Sequence, residues 1–203
     1  GMLKSIPFAQ TGNYSLAVIP LFVLMGQFAF ASGLSGDLYD ACYKFFGRIP
    51  GGLAVSTIVA SAGFAAICGS SAASSATMGV VCFPEMKRYK YDDGLSTGCL
   101  AAGGTLGILI PPSVGFILYG IASGESIGAL FAAGIIPGIL LTGCYIGAIV
   151  IQVVKNPAKG PKGEKFSVKE KMQALIKVIP ILILFVVVIG GIFIGFFTAN
   201  EGG

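Results

Sequence analysis

The stretch that decides the fold is Ala101-Ala102-Gly103-Gly104-Thr105-Leu106-Gly107-Ile108-Leu109-Ile110-Pro111-Pro112-Ser113, which places three glycines and two adjacent prolines inside a long apolar run. The prolines remove two backbone donors and push Ile110 out of the helical region. A helix is therefore expected to end near Ile110. A second helix is expected to start at Pro112-Ser113, where proline suits the first turn and Ser113 can cap it. The sequence predicts a discontinuous helix over residues 92–123.

A second interruption lies upstream, at Cys68-Gly69-Ser70-Ser71-Ala72-Ala73-Ser74-Ser75-Ala76-Thr77. It separates an apolar helix, residues 51–67, from an apolar stretch that reaches residue 83. The whole segment is too long for one straight crossing of about 30 Å of hydrocarbon. Open backbone at membrane depth is tolerated only where protein or a water-filled cavity surrounds it. Residues 51–83 are therefore predicted to form a re-entrant helical hairpin with the Ser-rich stretch at its tip.

The composition places both breaks inside a membrane. Of the 203 residues, 55% are hydrophobic and only 11% are charged, whereas a soluble domain carries about 25% charged residues. Apolar runs over residues 14–31, 126–154 and 178–197 approach or exceed the roughly 20 residues that span a bilayer as a helix. We expect an all-α, multi-pass membrane helix bundle in a single domain, residues 1–203.

The remaining segments are predicted as helices or helix ends near the membrane surface. Residues 32–50 mix charges with aromatic side chains, which suits either a helix near the headgroups or the end of a longer helix. Residues 166–177 are predicted to form a short amphipathic helix before the last span. The apolar run that follows Lys4 is too long for a cleaved signal peptide.

The positive charge is concentrated in one loop, residues 155–177. Seven lysines lie there: Lys155, Lys159, Lys162, Lys165, Lys169, Lys171 and Lys177. A nucleic-acid site is one interpretation, but basic loops in membrane proteins are typical of the cytoplasmic side. We expect a cytoplasmic loop and no nucleic-acid partner. With the hairpin re-entrant, nearly all other basic residues also fall on the cytoplasmic side.

The two breaks predict a binding site. Each break exposes carbonyl groups at the end of one half-helix and amide groups at the start of the next, and paired interrupted segments point to a transporter site. Expected Na⁺ ligands are oxygens of Gly69, Ser70, Ser71, Thr105, Gly107 and Ile110. An anionic group is expected at the positive helix ends, near Ser74, Ser75, Pro112 and Ser113. Close helix packing is the alternative role for these glycines and serines.

Other chemistries find little support in the sequence. Neither interrupted element carries a charged residue in its middle, which favours cation coupling through neutral oxygens over a proton relay. The chain has no histidine, so a His-based catalytic or zinc site cannot form within it. We expect no enzyme activity and no cofactor, with Na⁺ as coupling ion.

At these residues the sequence resembles the large membrane subunit of TRAP (tripartite ATP-independent periplasmic) transporters. Matching stretches occur in order along the chain: Ile19–Gly26, Cys68–Ser71 with Ala76-Thr77, Gly103–Ser113, Tyr119-Gly120, Ser126–Gly134 and Pro137-Gly138. The ordered Gly-Thr-Leu-Gly, Pro-Pro-Ser and Phe-x-Ala-Gly combination is specific.

The resemblance implies an elevator-type transporter of the bacterial inner membrane. Family members import small organic anions with Na⁺, among them C4-dicarboxylates, related carboxylates and sialic-acid-type substrates. The implied partners are a periplasmic substrate-binding protein, a small membrane subunit and membrane lipid. The large subunit is built from two inverted repeats, each with one hairpin and one broken helix. This chain matches the first repeat, and residues 190–201 resemble the family's midpoint.

The residues alone also allow two other interpretations of the protein's function. An ion channel or an unrelated ion antiporter would use the broken helices to line a pore. A truncated, non-transporting membrane scaffold would need neither break for binding.

Overall fold

The computed structural model describes residues 18–196 and residue 198, and all the regular secondary structure in this part of the chain is helical. This confirms the predicted all-α bundle. The described residues form α1 (Val18–Ala31), α2 (Leu34–Phe46), α3 (Gly52–Cys68), α4 (Ser71–Arg88), α5 (Asp93–Leu109), α6 (Val114–Ser123), α7 (Ile127–Lys155) and α8 (Val168–Ile194), with a 3-10 turn at Pro157–Lys159. The predictions for Lys4, for residues 14–17 and for residues 197 and 199–201 lie outside these residues.

Three helical stretches are long and apolar enough to cross a membrane: Asp93–Ser123, Ile127–Lys155 and Val168–Ile194. The 29 residues of α7 correspond to a length of about 44 Å. α1 and α2 qualify together as a further span, but they are bent by 64°. The bend lies at Gly33, whose φ of +81° favours glycine. α2 is therefore a separate helix rather than a straight continuation of α1.

The prediction of a short helix over residues 166–177 followed by a separate span is wrong. One helix, α8, covers both, and Ser167 with Glu170 forms a capping box at its start. The join contains neither glycine nor a turn motif, so nothing ends the helix there. Pro180 lies inside it, because a proline removes only one helical hydrogen bond and the rest of the helix persists.

The core of the bundle is centred on α3. Thirteen of its 17 residues are buried, and it contacts α1, α2, α4, α5, α7 and α8. Its sequence supports this position, because its glycine, alanine and serine residues let neighbouring helices approach closely. α7 and α8 instead present large apolar side chains outward, such as Ile136 and Val154. α3 therefore lies inside the bundle, and α7 and α8 form an apolar outer surface.

The segment between α7 and α8, residues 156–167, is here named the strap. It is fixed to both ends of the α3–α4 helix pair: the amide of Gly51 donates to Gly160 O (2.9 Å) and the amide of Asp92 to Lys159 O (3.0 Å). The Tyr91 hydroxyl donates to Pro161 O (2.8 Å) and accepts from the amide of Leu53 (3.1 Å). Burial raises the pKa of Tyr91 to about 12, so this hydroxyl stays protonated at neutral pH. The start of α3 and the end of α4 thus lie on one face of the bundle.

Candidate binding site where two helix breaks meet

The first break is a two-residue turn between α3 and α4. Gly69 ends α3 in the left-handed region with φ +64°, and its amide donates to Ala65 O (3.2 Å). Ser70 is extended and its hydroxyl caps α4 by accepting from the amide of Ala73 (3.4 Å). The interruption is shorter than the Ser-rich stretch, because residues 71–77 already belong to α4. α3 and α4 form a helical hairpin with Gly69 and Ser70 at its tip.

The second break separates α5 from α6. Ile110 is extended (φ −84°, ψ 122°) and the Pro111-Pro112 peptide bond is cis. Ser113 caps α6, as predicted, by accepting from the amide of Phe116 (3.4 Å). Its hydroxyl also donates to the carbonyl of Ile108 in the last turn of α5. This fully buried serine therefore joins the two half-helices.

The two breaks touch each other. The amide of Val114, the first residue of α6, donates a 3.1 Å hydrogen bond to the carbonyl of Gly69 at the hairpin tip. An added Cβ at Gly69 would lie 2.8 Å from Pro112 O, so only glycine fits this approach. The predicted residues Gly69, Ser70, Pro112 and Ser113 are thus brought together in one place.

Three glycines on one face of α5 set the spacing between this helix and the hairpin. An added Cβ at Gly107 would lie 2.9 Å from Ser70 O and 3.0 Å from the Ser74 hydroxyl oxygen. At Gly104 it would collide with the Ser75 hydroxyl and lie 3.3 Å from Ser71 O, and at Gly103 it would lie 2.6 Å from the Ser61 hydroxyl oxygen. Close packing is therefore one role of these glycines. It also brings polar atoms of the hairpin into the interface.

Ser74 carries an unusual hydroxyl at this interface. The residue is fully buried, and its hydroxyl lies beside the Cys68 thiol without a hydrogen bond of ordinary geometry. Its amide already donates to Ser70 O (2.9 Å), so the hydroxyl is the group Ser74 can offer a ligand. Leaving a buried hydroxyl unpaired costs about 1–3 kcal/mol, and such a group requires an explanation. Ser61 has the same character one helix away.

Two predicted ligands direct their side chains elsewhere. The Thr105 hydroxyl donates to Ala102 O (2.7 Å) and lies 2.9 Å from the Tyr145 hydroxyl of α7. The Ile110 side chain packs against Gly138 of α7, where an added Cβ would lie 2.8 Å from Ile110 Cγ1. Backbone oxygens are therefore the groups that these two residues can still offer a ligand.

Sequence reasoning missed Ser61 and Tyr145. Ser61 lies in the apolar helix α3, far from the first break in sequence. The signal that could have found it is the hydroxyl pair Thr57 and Ser61, because residues four apart share a helix face. Tyr145 lies in the long apolar α7 and carries no comparable signal.

The charge at the site comes from helix ends alone. Residues 49–84 and 94–124 contain no charged side chain. The amino ends of α4 and α6 carry partial positive charge, and the carboxyl ends of α3 and α5 carry partial negative charge. These four ends meet at the contact between Gly69 and Val114. Such an arrangement offers amide donors to an anion and carbonyl oxygens to a cation.

Residues 3–203 match the family model described as "Tripartite ATP-independent periplasmic transporter, DctM component". The chain belongs to the DctM family. The predicted resemblance to the large subunit of TRAP transporters is thereby confirmed.

Several members of the DctM family are similar along nearly the whole chain. The C4-dicarboxylate TRAP transporter large permease protein DctM of Pseudomonas aeruginosa is 38% identical over 194 residues, which cover 96% of this chain and 45% of that protein. The 2,3-diketo-L-gulonate TRAP transporter large permease protein YiaN of Escherichia coli is 35% identical, covering 94% and 44%. The sialic acid TRAP transporter large permease protein SiaM of Vibrio cholerae is 35% identical, covering 93% and 43%. The chain thus spans less than half the length of these relatives.

Proposed function

We propose that this chain supplies one half of the substrate-carrying core of a Na⁺-coupled TRAP transporter of the bacterial inner membrane. The observation that carries the proposal is the hydrogen bond from the amide of Val114 to the carbonyl of Gly69 (3.1 Å). It joins two interrupted elements, and interrupted helices form the ion and solute sites of many secondary transporters. The part that moves across the membrane in an elevator motion contains α3 to α6.

The cation site lies at the carboxyl ends of α3 and α5. Backbone oxygens of Gly69, Ser70, Thr105, Gly107 and Ile110 would supply ligands, with hydroxyls of Ser70 and Ser71. To these ligands we add the buried, unpaired hydroxyl of Ser74, although the sequence predicted this residue for the anionic group, because an added Cβ at Gly107 would lie 3.0 Å from that hydroxyl oxygen. The absence of charged side chains at the breaks favours Na⁺ over proton coupling, because a proton relay needs a titratable group.

The transported solute is a small organic anion. Three relatives are named for C4-dicarboxylates, 2,3-diketo-L-gulonate and sialic acid, which carry a carboxylate, and a fourth is named for isethionate, which carries a sulfonate. The positive ends of α4 and α6 suit a carboxylate, and Ser74, Ser75, Pro112 and Ser113 lie at or near them. A periplasmic binding protein would deliver the solute, and a small membrane subunit would complete the complex.

The hairpin is re-entrant from the cytoplasmic side. The contacts of Gly51 and Asp92 with the strap support this orientation, because they keep the start of α3 and the end of α4 on the face of the bundle where the strap lies. The strap belongs to the basic segment of residues 155–177, and basic loops favour the cytoplasm.

The test is Na⁺-driven uptake by the complete transporter in liposomes. Replacing Ser70 or Ser71 with leucine should abolish Na⁺-dependent uptake of the carboxylate without preventing membrane insertion. Ser123→Leu is the matched control, because Ser123 is an exposed residue at the far end of α6. Unchanged uptake in the Ser70 and Ser71 variants contradicts the assignment. Ion conductance that does not saturate with organic anions would instead indicate a channel.

A further inference from the structure

A pocket lies at the strap end of the bundle, beside the end of α4. It has a volume of about 350 Å³ and is bounded by α2, the end of α4 and the strap. Aromatic rings from all three elements form its walls: Tyr43, Tyr89 and Phe166. The ring centroids of Tyr43 and Tyr89 are 5.8 Å apart, and those of Tyr43 and Phe166 are 5.3 Å apart in an edge-to-face arrangement. The rings therefore pack against each other at steep angles, 60° and 77° between ring planes, rather than in a parallel stack.

The charged side chains of this pocket are mostly acidic. Asp40, Glu85 and Glu164 line it together with Arg88, so three carboxylates face one guanidinium and the lining carries a net charge of −2. This is unexpected beside the strap, where lysines dominate. Asp40 also pairs with Lys44 (2.7 Å) and Glu85 with Arg88 (3.6 Å). Glu164 has no such ion pair within the described residues, and its carboxylate accepts from the Tyr89 hydroxyl (2.7 Å).

The geometry holds Glu164 at the wall of the pocket. Its amide donates to the Tyr43 hydroxyl (3.2 Å), and its carboxylate is held by Tyr89. The Arg88 guanidinium lies 5.7 Å from the centroid of the Tyr89 ring, so this ring already accepts a cation on one side. Aromatic faces beside carboxylates are the chemistry that recognises ammonium groups.

We propose that this pocket binds an organic ammonium group against the Tyr43, Tyr89 and Phe166 rings and beside the Glu164 carboxylate. An anion is disfavoured there, because no ion pair within the described residues offsets the charge of Glu164. The ammonium group can come from a phospholipid headgroup or from a soluble amine, since the chemistry at the pocket is the same. Because the pocket joins α2, the end of α4 and the strap, an occupant holds these three elements together.

The first test measures binding of ethanolamine and choline to the purified transporter in an uncharged detergent, by saturation-transfer NMR and calorimetry. Tyr89→Leu should weaken binding about tenfold, because it removes a cation–π wall. Tyr89→Phe, the matched control, keeps the ring and should bind nearly as well. Glu164→Gln keeps an acceptor for Tyr89 but removes the charge, so it should also weaken binding.

The second test distinguishes the source of the ammonium group. The transporter is placed in nanodiscs of phosphatidylethanolamine or of phosphatidylglycerol, and soluble ethanolamine is titrated into each. Loss of ethanolamine binding only in phosphatidylethanolamine assigns the pocket to a lipid headgroup, and equal binding in both assigns it to a soluble amine. The proposal is overturned if neither ethanolamine nor choline binds saturably in detergent. It is also overturned if Tyr89→Phe and Tyr89→Leu weaken binding equally, because the ring is then irrelevant.

Discussion

The Cα of Gly107 carries no side chain where the carbonyl of Ser70 passes: an added Cβ would lie 2.9 Å from that oxygen. The hairpin tip and α5 therefore meet at a separation that alanine cannot accept without movement of the backbone. A substitution at Gly107 therefore tests whether the hairpin tip and α5 are in contact.

Gly107→Ala should separate the hairpin tip from α5. The clash involves backbone atoms of Ser70, so it cannot be relieved by a side-chain rotation, and we expect a destabilisation of about 1–3 kcal/mol despite the better helix propensity of alanine. Thermal unfolding of the purified protein and uptake in liposomes should both fall. Gly98→Ala on the same helix is the control, because an added Cβ there meets no atom within 4 Å. Equal behaviour of the two variants would contradict the close contact.

A second prediction concerns the cap at the other break. Ser113→Ala removes the acceptor for the amide of Phe116 and the link to Ile108, and we expect a loss of about 0.5–2 kcal/mol. Because Ser113 lies where the breaks meet, the variant should also raise the Na⁺ concentration needed for half-maximal uptake. Ser126→Ala removes a similar cap, of Ala129 in α7 (3.4 Å), away from the breaks. Ser126→Ala should reduce stability without changing the Na⁺ concentration needed for half-maximal uptake. A Ser126 variant that shifts the Na⁺ dependence as much as Ser113→Ala would rule out a local role for Ser113.

Much of this fold follows from local sequence signals. The double proline and Ser113 predict the second break to within one residue, because proline geometry and serine capping act over a few residues. The first break was predicted as a Ser-rich stretch, yet its centre is the pair Gly69 and Ser70. Serine tolerates a helix once its first turn is capped, and Gly69 is the residue of the 68–77 stretch with the positive φ that ends one.

The side-chain directions at the site could not be read from the sequence. Thr105 and Gly107 lie two residues apart, so they point to different faces of α5, and the packing of α7 decides that Thr105 meets Tyr145. The same holds for the strap, whose position depends on backbone hydrogen bonds between residues about 70 or more apart in the chain, such as Asp92 with Lys159 and Gly51 with Gly160. A local sequence pattern cannot predict hydrogen bonds between residues so far apart in the chain.

The strap should loosen when the Tyr91 hydroxyl is removed. Tyr91→Phe leaves the buried amide of Leu53 and the carbonyl of Pro161 without this partner, and an unpaired buried group costs about 1–3 kcal/mol. Limited trypsin digestion should then cut faster after Lys159 and Lys162, which lie in the strap. Tyr119→Phe is the control, because Tyr119 is 59% exposed. If Tyr91→Phe is cut no faster than the parent protein, the hydroxyl does not hold the strap.

The stability difference between the parent protein and Tyr91→Phe should depend on pH in the alkaline range. Folding raises the pKa of Tyr91 through burial, from about 10 for an exposed tyrosine to about 12, so the folded state holds this proton more tightly than the unfolded chain. The stability that the hydroxyl contributes is complete below about pH 10 and is lost as the pH rises toward 12. Unfolding curves at pH 8 to 12 should therefore converge for the parent protein and Tyr91→Phe. A constant gap between the two curves would contradict this pKa.

The final prediction separates ligand binding from packing at Ser74. If its unpaired hydroxyl serves only packing, Ser74→Ala should be at least as stable as the parent protein, because the desolvation cost of the hydroxyl is removed, and its melting temperature should respond to Na⁺ as the parent's does. If the hydroxyl binds Na⁺, the variant should be at least as stable as the parent protein in Na⁺-free buffer. It should then lose the rise in melting temperature that a bound ion produces by mass action. Ser61→Ala is the matched control, since that hydroxyl is also buried and unpaired but faces Gly103 rather than the hairpin tip. An unchanged Na⁺ response in Ser74→Ala would remove this hydroxyl from the cation site.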